Sequence, residues 1–253
     1  MTARRPTVSA ILVTRDRPLL LADALRSVSA QMSPPLEVRI TDDGDVPVDP
    51  SSLPTGLLQI TIVSGGDRQC AASRNRAATG ASGDVLAFLD DDDRWLSDHL
   101  ARLGAAFEDP AVDLAYTDVA VVRERVEEGG TRVALERREI ARDWDPEMMR
   151  DNDYIPPSAL AVRRGFFEAL GGFDPAFRYS EDWDFLLRAA RRTTPRRVPG
   201  VTVEIRMRES GNASADFNPE RLACLDQLSQ RHQLPRLEPR TFWEVAAVAA
   251  SRA

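Results

Sequence analysis

The chain has 253 residues, of which 43% are hydrophobic and 29% charged, an ordinary composition for a globular protein with a sizeable core. Its formal net charge of −7 argues against nucleic acid or an anionic membrane as the main partner, because neither attracts an acidic protein. Its apolar runs are far shorter than the roughly 20 residues of a membrane span, and its N-terminus lacks the apolar core of a signal peptide. We therefore expect a cytoplasmic protein, and peripheral contact with a membrane stays open.

Strand-like and helix-like segments alternate along the first 110 residues. Apolar runs predict strands at 7–14, 36–41, 57–63 and 85–89. Apolar residues at helical spacing predict two helices, one from Leu21, Leu25, Val28 and Met32 and another from Leu96, Leu100, Leu103 and Phe107. A third helix is predicted at 68–80, where Gly80 closes the segment. This alternation is typical of βαβ units and predicts an α/β fold with a mostly parallel, Rossmann-like sheet flanked by helices.

The second half of the chain is less regular. Its predicted elements are strands at 112–124, 158–162 and 196–208, a polar hairpin at 125–133, and helices at 164–170 and after the N-cap residue Ser180. No linker is visible between the halves. We therefore predict one domain over 1–253, with a first half of about 6–110, a second half of about 111–215 and a C-terminal helical region at 216–253.

Acidic residues follow three of the predicted strands. Asp16 comes after the first strand, Asp42 and Asp43 end the second, and the run Asp90–Asp93 ends the strand 85–89. Because ligands bind at the carboxyl ends of strands in such sheets, we expect these acids to converge at one edge. Carboxylates within about 4–6 Å of one another raise each other's pKa unless a cation neutralises them. Mg²⁺ and Mn²⁺ prefer such oxygen ligands, so the sequence predicts a divalent metal that holds a substrate phosphate.

The aspartate run has other interpretations. The acids could cap a helix that starts near Trp95, but one or two carboxylates would suffice for that. An EF-hand is excluded, because Trp95 stands at its glycine position and Ala101 at its glutamate position. A phosphatase of the haloacid dehalogenase type stays open, since the run contains D-x-D, although Arg94 replaces the expected Thr or Val.

Four stretches together resemble a known family. They are "VSAILVTRDRP", "EVRITDDGD", "ASRNRAATGASGDVLAFLDDDDRWLSDHL" and "GGFDPAFRYSEDWDFLLRAA". In this order and spacing, over about residues 6–215, the chain resembles a family 2 glycosyltransferase of the GT-A fold. The resemblance implies transfer of a sugar from a nucleotide-diphosphate donor to an acceptor hydroxyl, with inversion and with bound Mn²⁺ or Mg²⁺. The first half would bind the nucleotide sugar, and the second half would serve the acceptor and catalysis.

The resemblance also implies roles for residues in the nucleotide pocket. Thr14 and Asp16 would line that pocket. Asp43 matches the aspartate that hydrogen-bonds uracil in relatives that use UDP-sugars, which favours a UDP-sugar donor. Arg74 matches a basic residue near the base and the diphosphate.

The same resemblance covers the aspartate run itself. Asp92 aligns with the direct metal ligand. Asp90 or Asp91 aligns with the contact to ribose or to metal-bound water, which makes Asp90 a second candidate for the metal site.

Asp182 is the candidate general base. An acceptor hydroxyl must lose its proton as it attacks the sugar, and Asp182 borders the apolar face of its helix near the positive N-terminal end. It also matches the second acid of the family's "ED" motif, which the resemblance implies is the base in inverting members.

The chain departs from the family pattern after its last long strand, where many relatives carry a histidine that helps to bind the metal or the diphosphate. Glu209 stands near that position here, and Glu209, Arg206 or Arg208 could replace the contact. Three alternatives remain: a non-catalytic nucleotide-sugar-binding protein, a metal-dependent phosphatase and a nucleotidyltransferase. The last would need a glycine-rich loop after the first strand, and "TRDRPLL" has none. The acceptor and a homodimeric assembly stay open.

Overall fold

The first half of the chain forms the parallel part of one sheet. The computed structural model describes residues 5–54, 56, 58–127, 132–208 and 218–251. Its first four strands are β1 (Val8–Thr14), β2 (Glu37–Asp42), β3 (Ile60–Ser64) and β4 (Val85–Asp90). They pair in parallel in the spatial order β3-β2-β1-β4. The core of β1 and β4 is buried on both faces, as their continuous apolar runs predict.

Three helices connect these strands or follow them: α1 (Pro18–Ser29), α2 (Cys70–Ala78) and α3 (His99–Ala106). Pro18 occupies the first turn of α1, where its missing N–H costs no hydrogen bond. Leu21, Leu25 and Val28 are fully buried, as predicted. Met32 was predicted on the same stripe, and this is wrong: the helix ends at Ser29 and Met32 is 75% exposed.

The rest of the sheet mixes antiparallel pairs with one parallel pair of long strands. Its strands are β5 (Arg94–Trp95), β6 (Leu114–Val126), β7 (Arg132–Ile140), β8 (Leu160–Arg163) and β9 (Arg196–Arg208). The order β4-β8-β6-β9-β5 extends the first half, and β7 pairs with β6. β8 runs antiparallel to both β4 and β6, so it joins the two halves. The predicted α/β class is therefore confirmed.

Four more helices complete the described residues: α4 (Arg164–Ala169), α5 (Glu181–Ala189), α6 (Pro219–His232) and α7 (Phe242–Ser251). α7 covers β7, where the guanidinium of Arg138 lies 4.0 Å from the ring centroid of Trp243. β6 and β7 pair as the predicted hairpin requires, but its tip at 128–131 lies outside the described residues, as does Glu209. Among the helices described, none has the length and apolarity that crossing a membrane requires.

The aspartate run does not cap a helix. α3 begins at His99 with Asp98 as its N-cap residue, not near Trp95. Trp95 instead lies in β5, where it pairs with Val203 of β9, and its indole N–H donates to the carbonyl of Ser158 at 2.8 Å. Because an extended segment separates the aspartates from the helix, helix capping cannot explain them.

A cluster of phenylalanines fixes the helix that carries Asp182. Phe88 of β4, Phe167 of α4, Phe185 of α5 and Phe173 between these helices have ring centroids 5.0–5.7 Å apart. Phe185 is fully buried in this cluster. Packing of these rings therefore holds the N-terminus of α5 beside the carboxyl end of β4.

Candidate active site

A cleft of about 940 Å³ lies beyond the carboxyl ends of β1 and β4. Four of the predicted site residues line it: Arg74, Asp90, Asp92 and Asp182. Of the residues that the structure describes, four other predicted site residues lie outside the lining: Thr14, Asp16, Asp43 and Asp91. The convergence of acids at one sheet edge thus occurs as predicted, but only part of the set faces the cleft.

Asp92 projects into the cleft and is surrounded by arginines. One of its carboxylate oxygens accepts hydrogen bonds from Arg17 at 3.3 Å and from Arg208 at 2.8 Å. Burial and the neighbouring charge of Asp90 raise the pKa of Asp92, while the two arginines oppose this rise. Asp92 is therefore held in place by cations before any ligand binds.

Asp91 points away from the cleft. It is 5% exposed, accepts a 2.8 Å hydrogen bond from the Thr14 hydroxyl and pairs with Arg17 at 3.3 Å. Burial and the charge of Asp92 raise the pKa of Asp91 to about 6, against the effect of Arg17. Thr14 and Asp91 thus brace the loop after β1 against the aspartate turn.

Asp93 anchors the turn on its other side. Its carboxylate accepts the Ser158 hydroxyl at 2.5 Å and the backbone N–H of Arg206 at 3.1 Å. Burial raises the pKa of Asp93 well above its usual value, with Asp92 adding to the rise. The role of Ser158 is not visible in the sequence, since nothing near it in the chain points to a partner 65 positions away.

Asp43, the predicted uracil contact, is held by the loop after β3. Its carboxylate accepts the backbone N–H of Gly66 at 2.8 Å and the Ser73 hydroxyl. Asp43 is 9% exposed, and each carboxylate oxygen keeps a second lone pair. These two hydrogen bonds orient the Asp43 carboxylate and leave lone pairs on it that can accept further hydrogen bonds.

Gly65 is required by this arrangement, and its replacement gives a testable result. A Cβ at Gly65 would lie 1.7 Å from a carboxylate oxygen of Asp43, so Gly65→Ala must displace that side chain. We expect Gly65→Ala to lower the free energy of unfolding by about 1–3 kcal/mol, because two buried hydrogen bonds are lost. Denaturant unfolding with nucleotide present and absent measures both stability and binding.

Gly104→Ala is the matched control for Gly65→Ala. Gly104 lies inside α3 with open space around a Cβ, so the same substitution there should stabilise by up to about 1 kcal/mol. Equal effects at the two glycines would contradict the role assigned to Gly65.

Asp16 holds the loop that follows β2. The backbone of Asp16 is left-handed (φ +52°), and its carboxylate accepts the N–H of Asp45 at 2.8 Å. Asp42 similarly accepts the N–H groups of Gly44 at 2.9 Å and Val48 at 2.7 Å. Both carboxylates therefore fix the loop after β2 in one shape.

Arg74 joins the two halves of the site. Its guanidinium bonds Asp90 at 2.6 Å and also Glu181, the first residue of α5, while it is only 4% exposed. Burial by itself would lower the pKa of Arg74. The charges of Asp90 and Glu181 outweigh burial and raise this pKa, so the guanidinium stays charged. Arg74 thus ties the aspartate turn to the helix that carries Asp182.

Asp182 lies in the first turn of α5, beside Glu181. Burial and the charge of Asp90 raise the pKa of Asp182, whereas Arg74 lowers it. Burial also raises the pKa of Glu181 to about 7, although Arg74 opposes the rise. Ser180, at the N-cap, has a left-handed backbone (φ +62°) that turns the chain into the helix. A carboxylate with a raised pKa at a cleft wall suits general-base chemistry.

Arg206 of β9 is one of the residues that could replace the contact of the family histidine. It lines the cleft, is 6% exposed, and its Nε donates to the Asp92 carbonyl at 2.7 Å. Across the residues that the structure describes, one of its terminal nitrogens has no hydrogen-bond partner. An arginine held in this way can offer that N–H to an anionic group in the cleft.

The described side chains could supply only part of the coordination shell of a metal ion. The described residues contain no group of three or more His, Cys, Asp or Glu that could hold an ion alone. Asp90 and Asp92 nevertheless both line the cleft. Mg²⁺ commonly takes one or two protein carboxylates and completes its shell with substrate phosphates and water. The site therefore fits a cation that binds together with a diphosphate.

The fold and the acid-lined cleft define the class of protein, and comparisons with known proteins agree. The family model of Glycosyl transferase family 2 matches residues 9–170. The chain is 32% identical over 241 residues to YwdF, an uncharacterized glycosyltransferase of Bacillus subtilis, covering 93% of this chain and 87% of that protein. It is 29% identical over 72% of its length to a Mycobacterium tuberculosis PGL/p-HBAD biosynthesis glycosyltransferase, of which it covers 69%.

Two solved structures share the fold. One is Staphylococcus aureus TarS 1–349 in complex with UDP-GlcNAc, with a TM-score of 0.64, 15% identity, and coverage of 97% of this chain and 72% of that one. The other is the Pyrobaculum calidifontis mannosyltransferase PcManGT with GDP-Man and Mn²⁺, with a TM-score of 0.63, 19% identity, and coverage of 99% and 75%. The class is thus the GT-A glycosyltransferases. The chain belongs to glycosyl transferase family 2.

Proposed function

We propose that the protein is an inverting glycosyltransferase that moves a sugar from a nucleotide-diphosphate donor, with a UDP-sugar favoured, to an acceptor hydroxyl. One observation carries the proposal: Arg74 bonds both Asp90 and Glu181 and so keeps the aspartate turn and Asp182 in one cleft. A transferase needs a place for the diphosphate and a base for the acceptor within one cavity, and this arrangement supplies both.

The chemistry follows from the charges that develop. The bond between the sugar's anomeric carbon and the diphosphate oxygen breaks, while the acceptor oxygen forms the new bond from the opposite face. Asp182 takes the acceptor proton as the general base. A single displacement of this kind inverts the anomeric carbon.

The diphosphate would be held by the aspartate turn and its arginines. Bound Mn²⁺ or Mg²⁺ at Asp92, with Asp90, would supply Lewis-acid stabilisation of the leaving diphosphate. Arg17 and Arg206 lie against Asp92 and are placed to bind phosphate oxygens. Asp43, held by Gly66 and Ser73, would accept the N3–H of a uracil base.

Thermal unfolding with nucleotides tests this proposal. The protein is heated with UDP, GDP, dTDP, CDP or ADP, each with Mn²⁺ and with EDTA. We expect one diphosphate, UDP first, to raise the melting temperature only with metal, since a ligand of the folded state stabilises by RT ln(1 + [L]/Kd). The absence of a shift with any nucleotide would contradict the proposal and favour the phosphatase interpretation.

The Asp92→Asn variant, measured in the same thermal unfolding assay, tests whether Asp92 holds the metal. We expect this variant to lose the metal-dependent part of the shift, because Asn is a neutral and weaker ligand for a hard cation. Glu238→Gln is the control, since Glu238 also lines the cleft but is exposed. A full metal-dependent shift in Asp92→Asn would show that Asp92 is not the ligand.

A further inference from the structure

A second carboxylate faces the cleft beside Asp182 and was not identified from the sequence. Asp153 lies between Asn152 and Tyr154, each of which is 1% exposed. Tyr154 is anchored by its hydroxyl, which accepts the Asp145 N–H at 2.8 Å and donates to the Asp143 carbonyl at 3.1 Å. With both neighbours fixed in the interior, the side chain of Asp153 is held on the cleft lining.

Asp153 and Asp182 line the same cleft, and the charge of Asp182 acts on Asp153. Burial, with the charges of Asp182 and Glu181, raises the pKa of Asp153 well above its usual value. Within the described ranges, neither Asp153 nor Asp182 forms an ion pair with an arginine or histidine. Arg74, a buried cation in the lining of the same cleft, is occupied by Asp90 and Glu181. A half-buried acid without a cation lowers stability, which is typical of a residue kept for ligand binding.

The part of the cleft lining that carries Asp153 and Asp182 suits a ligand with neutral hydroxyl groups. The described lining contains eight arginines and eight acids, so the cleft as a whole does not attract a cationic acceptor. The carboxyl oxygens of Asp153 and Asp182 offer lone pairs, and hydroxyl groups are neutral donors that use them.

We propose that Asp153 positions the acceptor by accepting a hydrogen bond from a second hydroxyl, next to the hydroxyl that Asp182 deprotonates. The inference rests on the proposed function and adds the acceptor's class: a carbohydrate or other polyol with neighbouring hydroxyl groups. Asp153 is a positioning residue in this scheme, because it takes no proton from the reacting oxygen.

The experiment compares acceptors with neighbouring hydroxyls and with one hydroxyl. Wild type, Asp153→Asn, Asp153→Ala and the control Glu238→Gln are assayed with sugar donors that carry the nucleotide found by thermal shift. The probes are methyl α-D-glucopyranoside and glycerol against 1-propanol, and hydrolysis of the donor is followed in parallel. We expect Asp153→Ala to raise the KM for the polyols by about 10- to 100-fold, with smaller effects in Asp153→Asn.

Other readouts should stay unchanged if Asp153 only positions the acceptor. Donor hydrolysis, the nucleotide-dependent thermal shift and transfer to 1-propanol should match wild type, and both variants should melt no lower. A fall in kcat for all acceptors, or a lower melting temperature with all activities reduced, would overturn the inference by showing a catalytic or structural role.

The inference and the proposed function can fail separately. If wild type binds and hydrolyses the donor but prefers no polyol over 1-propanol, the polyol inference is wrong and the proposed function stands. If wild type neither binds nor cleaves any nucleotide sugar, the proposed function is wrong and the inference is overturned with it.

Discussion

Replacing Asp182 with Asn is expected to lower kcat by about 10²–10⁴-fold while donor binding persists. The carboxylate is the proposed acceptor of the hydroxyl proton, and an amide cannot accept it. Asp182 has no ion pair among the described residues, so its replacement leaves no buried cation uncompensated. Steady-state turnover, with the nucleotide thermal shift measured on the same sample, separates chemistry from binding. Near-normal turnover in Asp182→Asn would exclude Asp182 as the base.

The pH profile gives an independent test of the same role. Burial and Asp90 raise the pKa of Asp182, so the base becomes protonated at a higher pH than an ordinary aspartate, whose pKa is about 3.9. We expect kcat to fall as the pH drops through this raised pKa. This acid limb of the pH profile should lie at a higher pH than the pKa of an ordinary aspartate would give. In Asp182→Asn the residual rate should lose that limb. Asp182→Glu should keep the limb with reduced kcat, because the carboxylate is retained but displaced.

Arg74→Ala should have the largest effect on stability. It leaves Asp90 without its guanidinium partner and Glu181 buried without any cation, and breaking a buried pair in this way costs about 3–5 kcal/mol. Denaturant unfolding at pH 8 measures the loss. Arg76→Ala is the control, because Arg76 lies on the same helix in an exposed pair with Asp67 and should change the free energy of unfolding by about 0–1 kcal/mol. Similar losses in the two variants would contradict the role assigned to Arg74.

The loss in Arg74→Ala should also depend on pH. In the folded protein the pKa of Glu181 is raised to about 7, above its ordinary value of 4.5. A raised folded pKa gives stability that is present below the unfolded pKa and lost as the pH rises through the folded pKa. Without Arg74 to oppose burial, this rise in pKa becomes larger. The difference between wild type and Arg74→Ala should therefore be smaller at pH 5 than at pH 8.

The sequence alone determined the local features of this protein. The apolar runs of β1, β2 and β4 predicted these strands to within one residue, and the helical spacing over 21–32 predicted α1, which begins and ends three residues earlier. The placement of Asp90 at the end of β4 followed as well, because a buried apolar strand that meets charged residues must reach a surface there. The motifs then indicated family 2 and the candidate roles of Asp92 and Asp182.

Only the tertiary structure decided which side chains meet. Arg74 and Glu181 are 107 positions apart, and their pairing depends on the phenylalanine cluster that seats α5 against β4. The aspartate run looked uniform in sequence, yet Asp91 turns inward to Thr14 while Asp90, Asp92 and Asp93 line the cleft. Asp153 carried no motif and gained its place from the burial of Asn152 and Tyr154. Patterns along the chain report burial and backbone preference, whereas contacts between distant residues arise only when the sheet and its helices pack.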